Sequence, residues 1–175
     1  PHQKGRVGRK IRREIKNKDT AMTTIDQTKL QELIGKYKAD FETNIPNELY
    51  KWKAVKCFQD NWDINAENFA EMLSRSLSKT GNLLATRSTF PRRMIKHYAK
   101  SYTEEVRNLF IVLFDDYRSL FERIEEFKKG IDLIHEKWDV EGTKNHYQTD
   151  NVISTYLWLR FPDKYYIYKP SIAQI

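Results

Sequence analysis

The sequence predicts a mainly helical fold, of the α or α+β class, built as a compact bundle of about six to seven helices with a short β element near residues 164–169. Three observations predict this fold. Apolar residues recur at the i, i+3, i+4 spacing of amphipathic helices along most of the chain. Turn and capping residues separate these stretches. A single stretch, residues 165–168, has the aromatic and isoleucine composition of a strand.

Three helices are predicted in the first half of the chain. Apolar spacing indicates a helix over residues 28–41, behind a threonine cap, and a second over residues 48–62. Residues 44–47, Asn-Ile-Pro-Asn, are expected to separate these two helices, because proline lacks an amide donor. A third helix is predicted over residues 65–78, with Asn65 as its cap.

Four further helices are predicted in the second half. One begins at Pro91, since proline suits the first helical turn. The next begins at Thr103, because the two glutamates that follow it favour the positive end of a helix dipole. The longest candidate covers residues 119–138, and a polar loop follows it over residues 139–149. The last helix covers residues 150–160.

The strand candidate is Tyr165-Tyr-Ile-Tyr168. A single strand needs a partner, because its backbone donors and acceptors would otherwise stay unpaired. Two partners are open: residues 83–86, or chain beyond residue 175.

The net charge of +7 is unevenly distributed. Residues 1–21 hold eight basic and two acidic residues, which gives +6, whereas residues 22–175 amount to +1. Residues 1–21 are therefore interpreted as a basic leader, disordered or non-native, with a nucleic-acid-binding arm as the alternative. Residues 22–175 are predicted to form a single mostly helical domain, with Met22 as the natural start.

Composition excludes several classes of protein. A hydrophobic content of 39% is too high for a disordered chain. The lone cysteine, Cys57, excludes a disulfide framework and a zinc site of paired cysteines. No apolar run approaches the roughly 20 residues that span a bilayer, and no secretory signal precedes the fold. We therefore expect a cytoplasmic location and no membrane partner.

Residues 75–100 form a cationic block with seven basic and no acidic residues. Two of its arginines lie in the first turn of a predicted helix, where backbone amides favour phosphate. We predict that the block binds DNA phosphates; its basic residues are Arg75, Lys79, Arg87, Arg92, Arg93, Lys96 and Lys100. The alternative is that they pair with acids of the C-terminal half, such as Asp115, Asp116, Glu125 or Glu126.

Six aromatic residues lie within residues 156–168. This density indicates a stacking platform for a base, or an edge that packs under the core. The predicted base-contacting residues, including one from the cationic block, are Phe90, Trp158, Tyr165, Tyr166 and Tyr168.

Motifs of catalysis are lacking. The sequence has no P-loop and no His-Glu-x-x-His, and its four histidines are scattered. His97 is interpreted as topping a helix. Pro162-Asp163 and Glu126-Phe-Lys128 have the residue types of a nuclease motif, but their order is reversed, so we treat this as chance. We therefore expect no catalytic residue, no metal site and no cofactor; a nuclease with an unrecognised site is the weaker alternative.

Several segments resemble the N-terminal part of McrB-like AAA+ proteins, and together they extend over roughly residues 25–169. The matching segments are residues 47–65, 68–73, 82–84, 90–92 and 153–169. The last, Ile153-Ser-Thr-Tyr-Leu-Trp-Leu-Arg-Phe-Pro-Asp-Lys-Tyr-Tyr-Ile-Tyr-Lys169, is the most specific.

The resemblance implies a function. In that family an N-terminal region precedes a GTP- or ATP-hydrolysing motor, which works with a McrC-like nuclease in modification-dependent restriction. This chain would then be the DNA-recognition domain of a longer protein, binding duplex DNA, with a modified base as a candidate target. The alternative is an interaction module that packs on the motor or a partner subunit without touching DNA.

Overall fold

The structure, a computed structural model, describes residues 26–138 and 143–168, without the side chains of residues 40–47. Most of the chain in these ranges is helical and none of it is a strand, which confirms the mainly helical fold. The helices are α1 (Gln27–Asn61), α2 (Phe69–Ser76), a short 3₁₀ helix (Gly81–Leu83), α3 (Pro91–Ser101), α4 (Thr103–Phe114), α5 (Leu120–Lys137) and α6 (Asp150–Arg160). The basic leader predicted at residues 1–21 lies outside the described residues.

Tertiary contacts divide the chain into two units, Pro1–Ile45 and Pro46–Ile175. The prediction that residues 44–47 separate two helices is wrong, because α1 runs without interruption from Gln27 to Asn61. An internal proline removes one backbone hydrogen bond, but a helix can continue past it when the hydrogen bonds of the adjoining turns remain.

The described part of the first unit, residues 26–45, is helical from Gln27. Its cap is Asp26, whose Oδ1 accepts the Lys29 amide at 3.0 Å. An exposed i, i+4 pair, Lys36 with Glu32 at 2.7 Å, lies one turn further along. Local interactions thus account for the start of this helix.

The core of the second unit is centred on aromatic rings. The Phe110 ring of α4 lies 5.3 Å from the rings of both Trp62 and Tyr156, and 5.5 Å from Phe127. These rings belong to different elements, and most of the contacts are edge-to-face, the arrangement that aromatic quadrupoles favour. The core therefore joins α4 to α5, to α6 and to the chain after α1.

Helix α2 begins later than its apolar pattern indicates. Asn68, and not Asn65, is its cap: Asn68 Oδ1 accepts the Glu71 amide at 3.1 Å, and Asn68 Nδ2 donates to Glu71 Oε2 at 3.2 Å. This pair differs from a capping box in that Glu71 accepts from the side-chain amide of Asn68 and not from its backbone amide. The Asn65 amide instead donates to Asp63 Oδ1 within a turn.

Helices α3 and α4 start where the sequence predicts, at Pro91 and Thr103. Only Tyr102 separates them, and its hydroxyl donates to the Lys137 carbonyl at 2.8 Å. Burial raises the pKa of Tyr98, so its hydroxyl stays protonated, and this hydroxyl shares a hydrogen bond of 2.7 Å with His135 Nδ1. These two hydrogen bonds attach α3 to the end of α5.

The short β element predicted near residues 164–169 does not form over residues 164–168. The Tyr168 amide donates to Ser154 Oγ at 2.8 Å, and the Tyr168 carbonyl accepts from Asn151 Nδ2. Side chains of α6 thus satisfy backbone groups that a strand would pair with a ladder. Residue 169 lies outside the described residues.

A buried arginine ties the C-terminal segment to α4 and α5. The Arg123 side chain is 2% exposed; its Nη1 donates to the Leu113 carbonyl at 2.9 Å and its Nη2 to the Tyr165 hydroxyl at 2.8 Å. That hydroxyl donates in turn to Asp116 Oδ1 at 2.7 Å. Hydrogen bonds from Lys164 and Tyr165 hold the pKa of Asp116 below its ordinary value.

We expect Arg123→Met to lower the free energy of unfolding by about 2–4 kcal/mol, because it leaves buried acceptors without donors. The control is Arg118→Met, which removes a more exposed ion pair with Glu126 and should cost less than about 1 kcal/mol. Urea unfolding of the two variants measures both values. Equal losses would contradict a special role for the buried guanidinium.

Candidate nucleic-acid interface

Helix α3 has one buried face and one cationic face. Met94, Ile95 and Tyr98 are buried in the core. Since residues three or four positions apart share a side of a helix, the intervening basic residues lie together on the other side. These residues are Arg92, Arg93, Lys96, His97 and Lys100.

The start of α3 is held by the preceding loop. The Arg92 amide donates to the Leu84 carbonyl at 3.1 Å. The hydroxyls of Thr86 and Thr89 lie 2.7 Å apart and close a turn, which places Arg87 and Ser88 at its exposed tip. Because a carbonyl already occupies one of the first-turn amides, anion binding at this end depends mainly on the side chains.

Two concavities along the cationic face form one surface, which we call the cationic groove. Their volumes are about 360 and 390 Å³, and both include Arg92 and Lys96. The remaining lining residues are Ala85, Phe90, Arg93, His97 and Lys100 in the first, and Ser74, Arg75 and Ser78 in the second. Neither has an acidic residue in its described lining.

A third concavity, of about 350 Å³, adjoins the groove and shares Phe90, Arg93 and His97 with it. We call it the aromatic slot; it is completed by Met94, Trp138, Thr143, Lys144 and Tyr147. The His97 ring stacks on Trp138 with centroids 5.7 Å apart, and Phe90 meets Tyr147 edge-on at 6.3 Å. The slot thus places aromatic rings directly beside the cations.

Tyr147 enters the slot from a strained backbone. Its φ of 59° lies in the left-handed region, which side chains with a Cβ seldom adopt. The Tyr147 amide donates to Asn145 Oδ1 at 2.6 Å, which holds the turn in this shape. Such strain is characteristic of positions where the surroundings define a side-chain direction.

The anchor of this loop is Gln148, a 2% exposed side chain. Its Nε2 donates to the Pro91 carbonyl at 2.8 Å and to the His146 carbonyl at 3.0 Å. Its Oε1 accepts from the Tyr156 hydroxyl at 2.8 Å, and burial raises the pKa of Tyr156, so that hydroxyl remains a donor. One amide therefore joins the loop, the start of α3 and α6.

The acids of the C-terminal half that the structure describes do not neutralise the cationic block. Asp116 pairs with Arg123 and Lys164. Glu126 and Glu125 pair with Arg118 and Lys128. Across the described ranges, the only acid that pairs with the block is Glu71, which lies 3.6 Å from Arg75 in the same helix, with both side chains exposed. Among the described residues, the charge of the block is thus left largely uncompensated.

The structure brings together five of the seven predicted phosphate ligands. Arg75, Arg92, Arg93, Lys96 and Lys100 line the cationic groove, whereas Lys79 and Arg87 are exposed outside its lining. Arg92 has an additional structural role, because its Nη1 donates to the Ser78 carbonyl at 3.4 Å.

The predicted base-contacting residues are dispersed. Phe90 lines both the groove and the slot. Trp158 is 8% exposed and packs against Trp52 at 6.1 Å. Tyr165 is engaged by Arg123 and Asp116, whereas Tyr166 is 81% exposed and Tyr168 is partly exposed. These four side chains do not line the groove or the slot.

Four residues of the site were missed by the sequence analysis: His97, Trp138, Lys144 and Tyr147. His97 lies within the cationic block, so its position in the block was an available signal. The other three belong to the end of α5 and the loop after it. They reach α3 only through long-range contacts such as that of Gln148, which no local pattern indicates.

Within residues 26–138 and 143–168, no group of three or more His, Cys, Asp or Glu side chains is placed to hold a metal ion. No helix in these ranges combines the length and apolar character needed to cross a membrane. The described residues thus form a mainly helical fold with a concave cationic surface. Comparisons with protein-family models, curated proteins and solved structures gave no match to this chain.

We expect Gln148→Leu to lower the free energy of unfolding by about 2–3 kcal/mol, because the Tyr156 hydroxyl loses a buried acceptor and the Pro91 carbonyl loses its donor. The control is Gln59→Leu. The Gln59 amide also donates to two carbonyls, but the residue is exposed, so water can replace it at a cost below about 1 kcal/mol. Thermal or urea unfolding tests both; similar losses would argue against the buried anchor.

Proposed function

We propose that this chain is a DNA-recognition module that binds duplex DNA through phosphates laid along the cationic groove. The observation that carries the proposal is the set of five Lys and Arg side chains that line one surface, of which only Arg75 has an acidic partner in the described part of the chain. Crowded like charges repel one another, and a polyanion relieves that repulsion.

The spacing of the cations suits a sugar–phosphate backbone. Arg92 and Arg93 begin α3, and Lys96 and Lys100 follow at one-turn intervals of about 5.4 Å. Arg75 extends the row from α2. Phosphate contacts of this kind position a protein on nucleic acid without reading sequence.

We place any contact with a base at the aromatic slot, next to the groove. Phe90, Trp138 and Tyr147 provide ring surfaces, and stacking on aromatic side chains is a common way to hold an exposed base. A modified base is one candidate for this position.

The resemblance to McrB-like proteins stays a prediction. It favours a targeting role, in which this chain selects DNA and a motor with its McrC-like nuclease acts on it. No step of chemistry is assigned to the side chains of this module.

A second candidate is a protein-interaction module. It is favoured by exposed apolar side chains on the later part of α1, namely Leu49, Tyr50 and Trp52. Large exposed apolar groups that lie close together often mark protein interfaces. Self-association or partner binding that is insensitive to salt, with no DNA binding, would favour this candidate.

We expect Lys96→Gln combined with Lys100→Gln to weaken duplex binding and to reduce the slope of log K against log salt by about two, since each phosphate contact contributes about 0.9. Fluorescence anisotropy over a series of salt concentrations measures the slope. Both lysines line the groove, and neither has an acidic partner among the described residues.

The matched control is Lys129→Gln combined with Lys137→Gln, which removes the same charge from exposed positions on α5 outside the groove. Its salt slope should stay close to that of the original protein. If the groove variant and the control behave alike, the cationic groove is not the binding surface.

A further inference from the structure

His97 lies where the cationic groove and the aromatic slot meet. It lines both concavities, and its ring face is covered by Trp138 at 5.7 Å. It projects from the same face of α3 as Arg93, Lys96 and Lys100. An anion that follows the groove must therefore pass beside this imidazole.

The imidazole accepts a hydrogen bond from one of the cations. Arg93 Nε donates to His97 Nε2 at 3.4 Å. A guanidinium has no acceptor to offer, so Nε2 supplies a lone pair and the ring is neutral, with its proton on Nδ1. In this arrangement one nitrogen of His97 and one N–H of Arg93 satisfy each other.

The surroundings of His97 disfavour its charged form. Burial, and then the charges of Arg93, Lys100 and Lys96, hold its pKa below the ordinary value. From the other elements, the described charged or titratable side chains that share its concavities are Lys144 and Tyr147. None of these neighbours is an acid that would favour the imidazolium.

We propose that His97 is a further phosphate ligand and that the groove takes up one proton when it binds nucleic acid. This inference rests on the proposed function, because it assigns a role to a residue of the same surface. The proton comes from solvent, and no other covalent bond forms or breaks.

The geometry explains why one proton changes two residues. An imidazolium has N–H donors at both nitrogens and no acceptor, so it cannot keep the hydrogen bond from Arg93. Protonation therefore releases Arg93 Nε and turns His97 Nε2 from an acceptor into a donor. Both groups then become available to the same phosphate, and charge-assisted hydrogen bonds of this type are the strong ones.

The direction of the pH effect follows from linkage. In the unbound protein burial and the neighbouring cations hold the pKa of His97 below its ordinary value, and a neighbouring phosphate raises it. Between these two values binding takes up a proton, so affinity falls as pH rises, by up to about tenfold per unit. Below the lower value and above the higher value, His97 has the same protonation state with and without DNA, so it contributes no pH dependence to the affinity.

Two other histidines need to be distinguished from His97. His146 contacts Asp132 at 3.0 Å through Nε2, and His135 is bonded to Tyr98. Neither ring lines the groove or the slot. A pH effect that arises from them would persist when His97 is replaced.

The experiment measures duplex binding by the full chain from pH 5.5 to pH 8 at constant ionic strength, with the original protein and with His97→Gln. We expect the dissociation constant of the original protein to rise several-fold across this range and that of His97→Gln to change much less. The affinities of the two proteins should converge towards the upper end of the range, as the pH rises above the pKa of His97 in the complex. Far-ultraviolet circular dichroism checks that the variant is folded.

A second measurement needs no variant. Nuclear magnetic resonance of the imidazole should show a higher pKa for His97 with duplex bound than without it. An unchanged pKa, or equal pH dependence in both proteins, would overturn the role of His97 while leaving DNA binding intact. Absence of binding at every pH would instead overturn the proposed function and this inference with it.

Discussion

The buried amide of Gln148 is the interaction on which the candidate site depends. It is the shared partner of the Pro91 carbonyl at the start of α3 and the Tyr156 hydroxyl of α6. The loop that contains it supplies Lys144 and Tyr147 to the slot, and α3 supplies the cations of the groove. An unpaired buried amide is costly, so its three hydrogen bonds favour one arrangement of these parts over others. The groove and the slot are therefore two sides of one packed junction.

The charge distribution of this junction is unfavourable for the unbound fold. Arginines in the first turn of α3 lie at the positive end of its dipole, where carboxylates are usually preferred. The helix stays in place because its other face is buried, with Ile95 and Tyr98 in the core. The Tyr98 hydroxyl also shares a hydrogen bond with His135. Apolar burial thus offsets a repulsion that an anion would relieve. Functional surfaces commonly retain local costs of this kind.

The sequence predicts those parts of the structure that local signals determine. Proline at residue 91 and threonine before two glutamates at residue 103 mark the starts of α3 and α4, as the structure confirms. The cationic block is visible as composition alone, and five of its members share one surface. The errors arise where distant groups compete with local signals: side chains of α6 bind the backbone of the predicted strand. The slot was missed for the same reason, since Gln148 and Pro91 are 57 residues apart.

The cations around residue 97 give a physical reason for a histidine, and not a lysine, at this position. A lysine at residue 97 would add a permanent charge beside Arg93, Lys96 and Lys100, and it would increase their repulsion in the unbound state. A neutral imidazole avoids that cost and gives Arg93 an internal acceptor. It can become a cation when a phosphate is present to stabilise the charge. The same residue would then limit repulsion before binding and add attraction after it, which a residue with a fixed charge cannot do.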